Sequence, residues 1–251
     1  MSGHSKWHNR IHRKSRQDAK RGAAYSKLGR EILIAAREGG GDPVANNRLR
    51  IAIDRAREAG LPADNVRRAI ERGTGNGDDA RYEEITYEGY GPAGVAILVE
   101  VQTDNRNRTA GDLRHIFARN GGNMGESGCV AWMFDKKGLL VIDRAQGDLT
   151  EERALEVALE AGAEDMRAED DAFTLLTAPG DFEAVRQALI TRNVVVAEAE
   201  LTMEPRTTVE VDGKDAELVG RLLELLEDHD DVSNVYSNAT FPDDLDDAAD
   251  N

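Results

Sequence analysis

Residues 73–79, GTGNGDD, divide the chain into two textures. Glycine, asparagine and aspartate in a row favour turns and oppose both regular elements, so this stretch reads as a linker. Before it the apolar residues recur at helical spacing; after it runs of strand-forming residues appear. A chain divided in this way folds as a helical unit followed by sheet-containing units.

In the first part, Tyr25, Leu28, Ile32 and Ala35 form one stripe close to a 3.6-residue period, and three glycines at 39–41 stop it. Asp42-Pro43 has the form of an N-cap followed by a first-turn proline. Leu49, Ile53 and Ala56 give the apolar face of a second helix, which Gly60 ends. Pro62 opens a third, with Val66, Ala69 and Ile70 inward and Gly73 as its stop. Three narrow stripes make a small bundle. Residues before about Arg16 carry no stripe.

Beyond the linker, YEEITYEGYGPAGVAILVEVQT reads as two strands around a Gly-Tyr-Gly-Pro turn, followed by a helix at about 109–119 and a strand CVAWMF. KGLLVID, TEERALEVALEAG, AEDMRAE, DAFTLLTA, DFEAVRQALITR and VVVAEAELTM then follow the order β-α-β-β-α-β, the ferredoxin-like arrangement. TTVEV, a helix at 215–227 and VSNVYSNA complete a second set of the same kind with the earlier strands. The expected fold is therefore α+β: an N-terminal three-helix domain, then two ferredoxin-like α+β domains, one inserted in the other. The expected boundaries are a basic arm plus bundle at 1–77, a discontinuous domain at 78–135 and 205–240, an inserted domain at 136–204, and an acidic tail at 241–251. One larger α+β domain without a repeat is the alternative.

Charge is distributed as unevenly as texture. The chain has a formal net charge of -16, yet residues 1–30 hold nine Lys and Arg against Asp18 alone. Through residue 72 there are 17 bases and 8 acids; from 73 onward there are 15 bases and 40 acids. Clustered bases on an acidic protein are the footprint of a polyanion-binding segment. Lys6, Arg10, Arg13, Lys14, Arg16, Lys20, Arg21 and Lys27 suit phosphates, and Trp7, with no apolar neighbours, suits stacking on a base. Arg48 and Arg55 share a helix face and read either as phosphate contacts or as an ordinary salt-bridged surface. Arg106 and Arg108, at a strand-to-helix junction that Thr109 is placed to cap, suit a phosphate as well. His4, His8 and His12 lie four apart but lack the companion glutamate of a zinc motif, so no metal site is expected there.

Catalysis has a weaker signal. No G-x-S-x-G elbow occurs. Metal-assisted phosphodiester cleavage needs several carboxylates around a cation; Glu84 and Glu88 share a strand face, and Glu100, Asp104 and Glu126 are candidates to join them with Mg or Mn. Without that reading no cofactor is expected. The single cysteine, Cys129, excludes an intrachain disulfide and fits a reducing compartment. The basic start lacks the apolar run of a secretory signal, and no stretch has the length to span a bilayer, so no membrane partner and a cytoplasmic location are expected.

SGHSKWHN, QDAKRG, GGGDP, YEEITYEGYGP, TDNRNRT, GGN and FDKKGL occur in an order that resembles the YebC/PmpR family of regulatory proteins, to which mitochondrial translational activators of cytochrome oxidase are related. The resemblance runs to about residue 240. It implies a helical N-terminal domain followed by two α+β domains, and a DNA-binding transcriptional regulator. Some members of the family are instead ribosome-associated translation factors, which implies rRNA or tRNA as the alternative target. A structure-selective DNA nuclease is the second alternative. The chain departs from the family pattern at Ala23-Ala24, at Arg10, and in its acidic tail.

Overall fold

Arg21–Gly39 forms α1, the first element of the computed structural model, which describes residues 21–75, 82–144, 149–169 and 171–241. The segment before Arg21, most of the linker and the tail from residue 242 lie outside the described residues. Ile32, Ala35 and Ala36 of α1 pack with Leu49, Ala52, Ile53 and Ala56 of α2 (Asn47–Glu58) and with Val66 and Ala69 of α3 (Ala63–Thr74). Tyr25, Leu28 and Ile70 flank that core, as their spacing predicts.

Two stop and start signals act differently from their sequence reading. Asp42 does not cap α2; its carboxylate accepts from the Val44 N–H within a turn. The cap is Asn46, whose side-chain oxygen accepts from Leu49 N at 3.0 Å while its amide donates to Ala35 O at 2.7 Å and Gly40 O at 2.8 Å. One buried amide thus ends α1 and begins α2, a double duty that Asp42 has no donor to perform. Gly73 does not terminate α3 but lies within it. A β-carbon there would stand 2.4 Å from Leu33 O and 2.8 Å from the Ala36 β-carbon, so the glycine sets how closely α3 meets α1. Gly60, by contrast, ends α2 as expected, in the left-handed region at φ 78°.

The remaining chain is mixed α+β, with mainly antiparallel strand pairing. β1 (Glu83–Tyr90) turns through Pro92–Gly94 into β2 (Ala96–Thr103), pairing Tyr87 with Val99 and Gly89 with Ile97. After α4 (Arg106–Arg119), β3 (Asn123–Met124) adds to the outer edge of β1. β4 (Phe134–Asp143), α5 (Glu151–Ala161), β5 (Asp165–Ala168), β6 (Ala172–Thr177), α6 (Phe182–Thr191) and β7 (Glu198–Pro205) follow. Their sheet order is β5-β6-β4-β7 with every neighbour antiparallel, the ferredoxin-like arrangement. Leu140, Ile142, Phe173 and Leu175 pack on Val157, Ala158, Val185 and Leu189 of α5 and α6; Leu139, Val141, Ala172 and Leu176 form a cluster of their own. β8 (Val209–Glu210), α7 (Gly213–Glu227), β9 (Val232–Ser237) and β10 (Ala239–Thr240) complete the order.

The flanking sheet runs β3-β1-β2-β9, so its strands do not follow the β-α-β-β-α-β order read from the sequence. CVAWMF is not one strand. Ala131–Met133 is a 3-10 turn, closed by Met133 N–H to Val130 O at 2.9 Å, and β4 starts at Phe134 in the other sheet. Val130 and Phe134 are buried while Trp132 between them is 64% exposed, a pattern that strand alternation forbids. β8 also leaves that sheet, pairing in parallel with β10. Among the described residues the chain forms two compact units, one of residues 21–129 and 217–236, the other of 130–216 and 237–241.

Candidate nucleic-acid interface

Lys6, Trp7, Arg10, Arg13, Lys14, Arg16 and Lys20 lie outside the described residues, and Arg21 opens α1. The other bases singled out in the sequence have positions that can be read. Lys27 donates to the carbonyl of Glu227, the last residue of α7, at 2.6 Å. A cation at a helix C-terminus offsets the unpaired carbonyls and the dipole there. Burial pulls the Lys27 ammonium below its ordinary pKa, although Asp230, Asp228 and Glu227 hold it up. Arg48 bridges Glu38 and Glu84, and Arg55 meets Glu31 at 3.2 Å. The salt-bridged alternative for the α2 face is thus the arrangement present.

At the junction of β2 and α4 the cap is Asn105, whose side chain accepts from Arg108 N. Thr109 is fully buried instead, because its hydroxyl is needed at Asp231. That carboxylate, 5% exposed, accepts from Thr109 Oγ1 at 2.7 Å, from Arg108 at 2.8 Å and from Thr103 Oγ1 at 3.3 Å. Arg30 of α1 lies 3.8 Å from its other oxygen and donates to Gln102 O and Asp230 O, with its guanidinium over the Tyr82 ring. Burial opposes ionisation of Asp231, but Arg108, Thr109 and Arg30 outweigh it and hold its pKa below the usual aspartate value. The same contact pushes the Arg108 guanidinium up, aided by Asp104 at 3.0 Å. Sequence reading misses Asp231, which sits in the acidic run DHDDV and looks like solvated surface. An open cleft over this knot is lined by Arg30, Tyr82, Arg108 and His229, and also by Asp104, Asp112, Asp228, Asp230 and Asp231. Five aspartates around two guanidiniums make it a poor seat for phosphate.

Arg106, the other base of the junction, is exposed.

The carboxylates of the cleavage hypothesis are dispersed. Glu84 is held by Arg48 and by Gln102 Nε2, Glu88 is buried and accepts from Gly128 N at 2.6 Å, and Asp104 is paired with Arg108. Glu100 accepts from Asn234 Nδ2 at 2.8 Å and from the Tyr236 hydroxyl, and Glu126 is exposed. Among the described residues no group of three or more His, Cys, Asp and Glu side chains is placed to hold a metal. None of the described helices is long and apolar enough to cross a membrane.

The architecture defines a class: an N-terminal helical domain followed by antiparallel-sheet α+β domains. Two family models fall on these parts. The TACO1/YebC protein N-terminal domain matches residues 5–76, and the TACO1/YebC second and third domain matches residues 82–239. The chain belongs to the TACO1/YebC family. A "probable transcriptional regulatory protein" of Pelotomaculum thermopropionicum is 54% identical over 243 residues, covering 97% of this chain and 100% of the relative. One of the same description from Moorella thermoacetica is 57% identical, covering 96% of each. The crystal structure of the conserved hypothetical protein Aq1575 from Aquifex aeolicus superposes with a TM-score of 0.81 at 41% identity, covering 91% of this chain and 93% of that one.

Proposed function

We propose that the protein is a nucleic-acid-binding regulator, acting on DNA as a transcriptional regulator. The observation that carries this reading is the concentration of nine bases against one acid in residues 1–30 of a chain with net charge -16. Lysine and arginine replace condensed counterions on a phosphate backbone, and their release drives binding. Trp7 stacks on an exposed base. The names of the Pelotomaculum and Moorella relatives support a regulatory role. The reading requires no cofactor, and the single cysteine supports a reducing, cytoplasmic setting.

A second reading, a ribosome-associated factor on rRNA or tRNA, is favoured by one feature of the bundle. Lys27, Arg30, Arg48, Arg55 and Arg67 are each held by the protein's own carbonyls or carboxylates. A helix that reads the major groove needs uncommitted side chains along one face.

A gel panel separates these readings. Purified protein is incubated with labelled duplex DNA, four-way junction DNA, single strands and structured RNA, with and without Mg²⁺ or Mn²⁺. A shift strongest on duplex supports transcription; one strongest on structured RNA supports translation. Metal-dependent cutting moves attention to Glu84, Glu88, Asp104 and Glu126. No shift on any ligand contradicts the proposal.

A further inference from the structure

The sheet β5-β6-β4-β7 has two faces, and its helices cover one. α5 and α6 pack on Leu140, Ile142, Phe173 and Leu175. Alternation turns Leu139 and Val141 of β4, and Ala172 and Leu176 of β6, to the other face. A ferredoxin-like unit has no helix for that side. Yet these four residues are no more than 4% exposed, and among the described residues Ala197 is the one partly buried hydrophobic packed against them. Arg167 of the β5 edge meets Glu204 of the β7 edge at 2.7 Å, but one arginine stem is too narrow to shield four side chains. Apolar rows this dry need a broader cover.

Charge on the same face narrows what that cover can be. Residues opposite one another in a sheet share a face. β7 therefore sets Glu198, Glu200 and Glu204 beside Val141, Leu139 and Asp135, while Asp143 lies opposite Ala172 and Asp165 opposite Leu176. These six carboxylates share the face with two bases, Lys137 and Arg167. Arg206 reaches Asp135 at 2.8 Å, which still leaves acids ahead of bases by six to three. An apolar centre with an acidic rim fits a strand of chain that carries bases and a few large apolar side chains. Of the segments outside the described residues, 76–81, 145–148 and 242–251 each carry more acids than bases. Residues 1–20 carry six bases and one acid, with Trp7 and Ile11 among them. Twenty extended residues reach about 65 Å, well beyond the roughly 13 Å radius of gyration of a 100-residue domain.

We infer that the helix-free face of the sheet β5-β6-β4-β7 is the docking surface for residues 1–20 of the same chain when no nucleic acid is bound. Trp7 and Ile11 lie over Leu139, Val141 and Leu176, and Lys6, Arg10, Arg13 and Lys14 meet the carboxylates around them. The acids of the inserted domain then act as a stand-in for phosphates, and nucleic acid must displace them. This deepens the proposed function and rests on it: the bases that bind the backbone are the ones the sheet holds in reserve.

The test uses the full chain in two measurements. The first treats wild type at low salt with a water-soluble carbodiimide, which joins lysine amines to carboxylates in direct contact, and maps the linked peptides by mass spectrometry. Lys6, Lys14 or Lys20 should be joined to Asp143, Glu198 or Glu200 within the monomer band, and duplex DNA or structured RNA should suppress the links. Links from these lysines mainly to Glu152, Glu156 or the aspartates of 242–251, links found only in a dimer band, or none at all, overturn the inference. The second measures anisotropy of labelled duplex DNA and structured RNA with a triple variant, Asp143→Asn, Glu198→Gln and Glu200→Gln. Its control, Glu152→Gln, Glu156→Gln and Glu160→Gln, removes the same charge from α5 on the helical side of the domain. Releasing the bases should tighten binding by about three- to tenfold at low salt, and less as salt rises. A triple variant that matches the control overturns the inference and leaves nucleic-acid binding by the arm intact. Links at the sheet in a wild type that binds neither DNA nor RNA overturn the proposed function and leave the docking in place.

Discussion

At Asp231 two hydroxyls and two guanidiniums converge on one buried carboxylate. Its depressed pKa has a defined consequence for stability. An aspartate whose folded pKa lies below its unfolded value of about 3.9 contributes stability that is fully present above that value. The contribution is lost as pH falls through the lower folded pKa. Urea unfolding of wild type should therefore weaken between about pH 4 and more acid conditions, and Asp231→Asn should flatten that part of the profile. Asp231→Ala, which leaves Arg30 and Arg108 facing an empty site, should cost on the order of 3 kcal/mol near neutral pH. An unchanged acid limb in Asp231→Asn would show that the carboxylate is not the group titrating. None of this knot is legible in the sequence, because its members, Arg30, Thr103, Arg108, Thr109 and Asp231, are separated by up to 200 residues and each alone resembles surface.

Among the elements, periodicity is a sound guide wherever an element is long and has one buried face. The stripes of α1, α2 and α3, and the order β4-α5-β5-β6-α6-β7, were all readable for that reason. Elements of two or three residues were not. β3, β8, β10 and the turn at Ala131–Met133 owe their form to neighbours rather than to a pattern of their own. Caps belong to the same class of error. Asp42 and Thr109 have the right chemistry, but Asn46 and Asn105 hold the positions. The Asn46 clasp can be tested by unfolding two variants. Asn46→Ala should cost about 2 kcal/mol, combining a lost cap with two carbonyls left without a donor. Asn46→Asp keeps the acceptor for Leu49 but turns an oxygen toward Ala35 O and Gly40 O, so it should not recover wild-type stability. Full recovery by aspartate would reduce Asn46 to a simple cap.

Over the whole molecule, charge is the organising quantity. The bundle and the sheet that carries β1 and β2 are joined by Lys27, Arg30 and Arg48, so part of the basic excess before residue 73 is spent on internal contacts. This division was hidden in the sequence, where a base that clamps a carbonyl and a base that waits for a phosphate look alike. The stretch at residues 242–251 adds five aspartates and no base. Opposite charges in one chain attract over a Debye length of about 8 Å at physiological salt. Removing residues 242–251 should therefore tighten nucleic-acid binding, more at low salt than at high. Equal affinity at every salt concentration would separate the tail from binding.

The central claim is that bases near the N-terminus bind a nucleic-acid backbone. Its most direct measurement is the salt dependence of binding by wild type and by the variant in which Arg13, Lys14, Lys20 and Arg21 are all alanine. Loss of four phosphate contacts should reduce the slope of log K against log salt by about 3 to 4 and lower affinity at each concentration. Identical slopes and affinities for the two proteins would contradict the claim.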